Sequence, residues 1–294
     1  MIDKSEFLDK YDLNKTLLSS RYSWDNLIEV VDDYECQKED LNIKLNQFVK
    51  DFSALGLPVY IKKRLKDPEH LVEKILRKEK DNGKKSDYVN VTLQNYQEEI
   101  TDLIGIRVIH TFKVDWRDVH LALVTNFSPF HEKPEVFYRK GDDVSSFNDF
   151  SESLDIKESD RNYRSAHYLV KRENYIAEIQ VRTIFEEAWG EVDHSLVYPN
   201  KNDDKLLKEF GKILNRIAGA GDELSSIMRN FAAHQDEIQR ERKTIMASIR
   251  ALRVVLNNCD ISSENQDKIE ELLECIQEDK NKMIPFRTLF EDVW

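Results

Sequence analysis

Two short runs in the middle of the chain alternate in polarity and are only three residues apart. In the second, Tyr175, Ala177, Ile179 and Val181 fall on one side of an extended strand, and Glu178, Gln180 and Arg182 fall on the other. In the first, Tyr163 to Lys171, the residues Tyr163, Ser165 and His167 share a side. If the two runs pair as a hairpin, they build a sheet with one apolar and one polar face on which Tyr, His and Glu converge. A third run, Ile104, Ile106 and Val108, adds a strand with Asp102 at its head and Arg107 on the opposite side. Pattern alone favours plain solvent exposure for Glu178, Gln180 and Arg182. The alternative is the floor of an open cleft, with a carboxylate placed to take a proton or hold a metal.

The rest of the chain reads mainly as helix. Tyr22 to Val49 contains no Gly or Pro and carries Leu27, Val30, Val31 and Tyr34 at helical spacing. Val59 to Lys63 predicts a short strand. Asp67-Pro68 predicts a helix start, because Asp caps free amides and Pro fits the first turn. Leu71, Val72, Ile75 and Leu76 form the apolar face that follows. Further helices are expected at 118–126 and along Phe185, Ala188, Trp189, Val192 and Leu196. The stretch "RKGDDVSSFNDFSESLDIKESDRN" reads as a mobile polar loop. Past "YPNKND" the pattern is helical, divided by "GAG" at 219–221 and by "NNCDISSEN" at 257–265. Three segments are expected: an N-terminal helical segment 1–55, a central domain 56–200 and a C-terminal helical extension 201–294.

Composition narrows the function classes. A net charge of -12 over 294 residues argues against a broad nucleic-acid or membrane surface. No apolar run approaches a membrane span and no signal-type segment opens the sequence, so a cytoplasmic protein is expected. Cys36, Cys259 and Cys275 lack metal-ligand spacing and read as thiols. There is no GxxxxGK[ST] loop, HExxH, CxxC pair, GxSxG elbow or His-Asp dipeptide. Glu191-x-x-His194 is half of a di-metal carboxylate motif without its second half. Within this acidic chain, Lys62 to Lys78 is rich in cations. Arg64 and Lys66 precede a helix N-terminus, which itself favours anions, and Lys74 lies within the helix. Asp102 is suited to Mg²⁺ beside a polyphosphate, and equally to capping the turn into its strand.

Four blocks in order, "RLKDPEHLVEK", "DLIGIRV", "YRSAHYLV" and "EIQVRT" followed by "AWGEVDH", resemble the synthetase domain of RelA/SpoT-type alarmone synthetases, above all the small single-domain kind. The resemblance runs from about Gly56 to Tyr198. It implies an α+β fold, a mixed β-sheet flanked by helices with a nucleotidyltransferase-like synthetase core. It implies transfer of pyrophosphate from ATP to the 3′-hydroxyl of GDP or GTP, with Mg²⁺ as cofactor, in a stringent-type or toxin response. Arg64, Lys66, Lys74 and Arg107 would then bind ATP. Asp102 would hold Mg²⁺, shared with Glu178, and Glu178 would activate the acceptor hydroxyl. Tyr163 would stack on the acceptor base, with Arg164 and His167 on acceptor phosphates and Gln180 nearby. Two departures fall on the acceptor side. Asp160-Arg161-Asn162 replaces the Gly expected before Tyr163, and Glu187 stands where small synthetases often carry Asn. Relatives acting on adenosine nucleotides or the tRNA 3′ end, and a non-catalytic nucleotide-binding regulator, are the alternatives. The C-terminal helices are the expected place for a homo-oligomer contact or a protein partner.

Overall fold

The computed structural model describes residues 2–11, 22–82, 89–130, 133–142, 144–159, 163–196, 205–257 and 263–282. They fall into two compact units, Met1–Ser226 and Ile227–Trp294. The first unit is built on one six-stranded mixed sheet of order β1-β2-β6-β5-β3-β4. Its strands are β1 Val59–Leu65, β2 Ile104–His110, β3 Glu135–Tyr138, β4 Asp155–Glu158, β5 Ser165–Arg172 and β6 Tyr175–Thr183. β2 runs parallel to β6, and β3 runs parallel to β4. The β1–β2, β5–β6 and β3–β5 pairs are antiparallel. The polar stretch read as a mobile loop thus supplies β4 and a 3₁₀ turn at Ser145–Phe150. At four residues, β4 is too short to show alternation, which is why composition hid it.

The helices are α1 Lys4–Lys10, α2 Trp24–Ser53, α3 Pro68–Asn82, α4 Tyr96–Glu99, α5 Trp116–Asn126, α6 Ile184–Leu196, α7 Lys205–Asn257 and α8 Ser263–Lys282. α2 starts at Ser23, whose hydroxyl accepts from the Asn26 amide at 3.1 Å. α3 starts where Asp67 Oδ1 accepts from the amides of Glu69 and His70, with Pro68 in the first turn. Both helices bury their apolar faces: Leu27, Tyr34, Phe48 and Phe52 from α2, and Leu71, Val72, Ile75 and Leu76 from α3. These join Ile104, Ile106, Val108, Ala177, Ile179 and Val181 from the apolar side of the sheet in one core. The helix at 184–196 forms and buries Trp189 from its expected apolar face, but Phe185, Val192 and Leu196 stay exposed and Glu187 is buried. α7 runs without a break through Gly219–Gly221, so the "GAG" triplet does not divide it. Residues 258–262 and Cys259 lie outside the described residues. Cys36 and Cys275 are exposed free thiols. No described helix is long and apolar enough to cross a membrane.

Tyr34 links this core to the polar side of the molecule. Its ring is fully buried and its hydroxyl donates a 2.6 Å hydrogen bond to the carbonyl of Lys66, directly after β1. Tyr34→Phe leaves that carbonyl unsatisfied while preserving packing. It should lower the unfolding free energy by about 1–2 kcal/mol, read from urea denaturation.

Candidate active site

The register of three adjacent strands assembles one polar floor. Gly105 lies opposite both Arg64 and Glu178, Arg107 opposite both Lys62 and Gln180, and His167 opposite Gln180. Because side chains alternate along each strand, these residues share the face turned away from the core. Gly105 matters here by what it lacks: a methyl at that position would stand 3.3 Å from Arg64 Cγ and 3.4 Å from Arg64 Nε. The bare backbone lets the Arg64 side chain lie across β2.

Two cavities open onto this floor. One, of about 480 Å³, is lined by Lys62, Arg64, Asp102, Arg107, Glu178 and Gln180 among others. The second, of about 900 Å³, lies towards β5 and β3 and is lined by Glu135, Asp155, His167, Leu169 and Glu178 among others. Glu178 belongs to both.

On the first side, Asp102 is the electrostatic hub. Lys66 Nζ lies 2.7 Å from Oδ2 and Lys74 Nζ lies 2.8 Å from Oδ1. Burial alone would push the Asp102 carboxyl up, but the two ammonium groups outweigh it and hold it below the ordinary range. Lys66 is buried, and that burial lowers its own pKa against the pull of Asp102. Among the described residues, the buried Asp102 Oδ1 meets Lys74 without an aligned hydrogen bond.

Around Glu178 the polar side chains close into a ring. His167 Nδ1 is 3.2 Å from Glu178 Oε1, and Gln180 donates to the same oxygen at 2.8 Å. Arg182 Nη2 donates to Gln180 Oε1 and to Tyr163 Oη, both at 2.6 Å, and Tyr163 Oη meets His167 Nε2 at 3.0 Å. Burial would raise the Glu178 carboxyl, but the His167 hydrogen bond and charge, helped by Gln180, bring it down to about 2. It is a carboxylate throughout the ordinary pH range.

The structure therefore gathers Arg64, Lys66, Lys74, Asp102, Arg107, Tyr163, His167, Glu178 and Gln180 around one floor. Arg164 is the exception. It shares the parity of Ala166 and Tyr168, so its side chain leaves the cleft. It is buried on the far side, in two hydrogen bonds to Asp142 at 2.5 and 2.9 Å. The alternation that puts Tyr163 on the floor forbids the same of its neighbour. Glu187 is buried among cations: Lys62 at 2.8 Å, Arg107 at 3.1 Å and Arg182 at 3.4 Å. Arg107 is also paired with Glu191. Charge periodicity on α6 does not reveal this clamp, because Glu187 meets its partners only once α6 folds back over β2 and β6. Lys157 pairs with Glu135 and Asp155 at the edge of the sheet. Asp160, Arg161 and Asn162 lie outside the described residues.

Residues 63–203 match the family described as the region found in RelA/SpoT proteins. The GTP pyrophosphokinase YwaC of Bacillus subtilis (strain 168) is 27% identical over 152 residues, covering 49% of this chain and 60% of that protein. This chain thus spans about 60% of that relative's length. Among solved structures, a GTP pyrophosphokinase family protein from Streptococcus pneumoniae is 23% identical, with 68% of this chain and 91% of that chain covered and a TM-score of 0.46. The small alarmone synthetase 1 of Bacillus subtilis is 20% identical, with 68% and 94% covered and a TM-score of 0.44.

Removing the hub charge should expose how much the cations depend on it. Asp102→Asn leaves the buried Lys66 ammonium without its counter-charge. It should destabilise the fold by roughly 2–3 kcal/mol at neutral pH, read from chemical denaturation. The loss should shrink at high pH, as Lys66 gives up its proton.

Proposed function

We propose, from the match of residues 63–203 to the region found in RelA/SpoT proteins, that this chain moves pyrophosphate from ATP to the 3′-hydroxyl of a guanosine nucleotide, GDP or GTP. The observation that carries this reading is the position of Glu178, the side chain common to both cavities. A two-substrate transfer needs one group at the junction of donor and acceptor sites, within reach of the attacking hydroxyl.

The donor half is the cavity with Lys62, Arg64 and Arg107 on its floor, beside the Lys66 and Lys74 ammonium groups on Asp102. Phosphate oxygens would take over cations that are now neutralised by Asp102, Glu187 and Glu191. The acceptor half is the larger cavity, lined by His167, whose ring lies 5.7 Å from that of Tyr163. The acceptor oxygen attacks the β-phosphorus of ATP. The bond from that phosphorus to the α,β-bridging oxygen breaks, AMP leaves, and the proton of the hydroxyl passes to Glu178.

A carboxylate held down to about 2 is a weak proton acceptor. His167 is the main cause, so drawing the imidazole onto an acceptor phosphate would free Glu178 to take the proton. A divalent cation fits the donor half. Asp102 and Glu178 line the same cavity, and one Asp102 oxygen is buried without an aligned hydrogen bond among the described residues. Among the described residues no group of three or more His, Cys, Asp or Glu side chains is poised to hold a metal. Asp102 and Glu178 would therefore hold Mg²⁺ together with substrate phosphates and water, the arrangement this ion prefers. Bound there, it would supply charge neutralisation on the transferring group.

Glu178→Gln keeps the size and the hydrogen bonds of the side chain but cannot accept the proton. With labelled ATP and GDP or GTP, transfer should fall by at least about a hundredfold while ATP binding by calorimetry changes little. Turnover equal to wild type would refute the assignment. Transfer to deacylated tRNA or an adenosine nucleotide alone would replace the acceptor and keep the base.

His167→Ala should move the acid limb of kcat upward, towards the ordinary Glu value near 4.5, because the main force lowering the Glu178 pKa is gone. The sign is fixed: losing a partner that favours the charged form raises a carboxyl pKa.

A further inference from the structure

The triplet Gly219-Ala220-Gly221 does not break α7; its two glycines bring the helix backbone close. A methyl at Gly219 would stand 2.9 Å from Arg164 Nη1 and closer still to Nη2, and a methyl at Gly221 would stand 2.7 Å from the Phe185 ring. Neither position has room for a side chain, so α7 is pressed onto a guanidinium and an aromatic ring. The next residue, Asp222, is fully buried. It accepts a 2.9 Å hydrogen bond from Thr183 Oγ1 and lies 3.9 Å from Arg164 Nη1, while its Oδ1 has no hydrogen-bond partner among the described residues. Two turns earlier, Asn215 accepts from Arg139 at 3.1 Å, and Arg139 shares Asp142 with Arg164.

These contacts end one residue away from the polar ring. Arg164 follows Tyr163, and Thr183 follows Arg182. Arg182 and Tyr163 are bonded to each other at 2.6 Å. α7 thus grips both backbone segments that present the acceptor-side pair. It starts at Lys205, beyond the matched region that ends at 203.

We propose that Gly219 and Asp222 are positioning residues for acceptor binding, fixing Arg164 and Thr183 and, through them, the Tyr163 ring and the Arg182 guanidinium. This rests on the acceptor reading given above. A helix that merely covered the sheet would gain nothing from a buried carboxylate, which costs free energy unless it holds something. Burial, and then the charge of Glu186, push the Asp222 carboxyl up to about 7. The groups facing it are Glu186, Thr183, Lys113 and Arg164. Its charge therefore changes near neutrality, and the grip on Arg164 weakens as the pH falls.

The test uses the full chain carrying Gly219→Ala or Asp222→Asn. Alanine favours a helix over glycine, so a helix with no pad to fit would melt at the same or a higher temperature in Gly219→Ala. The pad requires a lower Tm. In transfer assays with ATP and GTP, both variants should raise KM for GTP roughly tenfold while KM for ATP and kcat stay within about twofold. In wild type, KM for GTP should climb as the pH falls through about 7, and Asp222→Asn should flatten that climb. Amide hydrogen exchange on the nucleotide-free protein gives a readout without turnover. Both variants should speed exchange at 163–167 and 180–183 and leave 104–110 unchanged.

Equal rises in both KM values, or faster exchange confined to 205–226, would overturn the proposal. If wild type transfers to no acceptor, the reaction assignment fails and the exchange pattern still decides the clamp. If Gly219→Ala does not fold, Asp222→Asn carries the same decision.

Discussion

The register of the β5–β6 hairpin is the constraint on which the site depends. His167 lies opposite Gln180 and Leu169 opposite Glu178, so every second residue of both strands faces the floor. A slip of one residue would send Glu178, Gln180 and Arg182 into the core and Ile179 and Val181 into the cleft. The buried apolar set on the opposite face makes that slip costly, and the same burial keeps the polar set aligned. β2 joins β6 in parallel and carries the register to Gly105 and Arg107. The closed loop from Tyr163 through His167, Glu178, Gln180 and Arg182 follows from that pairing.

Electrostatics then explains how so acidic a chain keeps a cation-lined cleft. Cations of the cleft sit against carboxylates: the buried Lys66 and the half-buried Lys74 against Asp102, and Lys62, Arg107 and the buried Arg182 against Glu187. Buried charges without such partners would cost several kcal/mol each. The pairs hold the cations in place, and polyphosphate oxygens can take over where carboxylate oxygens now sit. The net charge of -12 is a sum over the whole chain and says little about how charges pair in the cleft.

Much of this was legible in the sequence because it rests on local periodicity. Alternation at 175–183 defined β6 and its polar face, Asp67-Pro68 marked the start of α3, and Asp102 stood at the head of β2. What escaped depends on contacts remote in sequence. β3 and β4 are four residues each, β4 at the sheet edge on β3 and β3 held in turn by β5. Asp142 and Asp222 reach Arg164 from 22 and 58 positions away. No period marks them, and "GAG" resembles a helix breaker until its close contacts with Arg164 and Phe185 are seen. The direction of Arg164 was the instructive case. Strand parity assigns it to the far face, whereas similarity to relatives assigns it to acceptor phosphates, and the backbone follows parity.

Whether the Glu178 junction joins a diphosphate donor to an acceptor hydroxyl is read by following two labels at once, with ATP carrying one label on the β-phosphorus and another on the γ-phosphorus, and GDP or GTP as acceptor. Both labels should reach the guanosine nucleotide in equal amounts, with one AMP released for each transfer. Arrival of the γ-label alone with release of ADP, or release of both labels into solution with none on any acceptor, would contradict it.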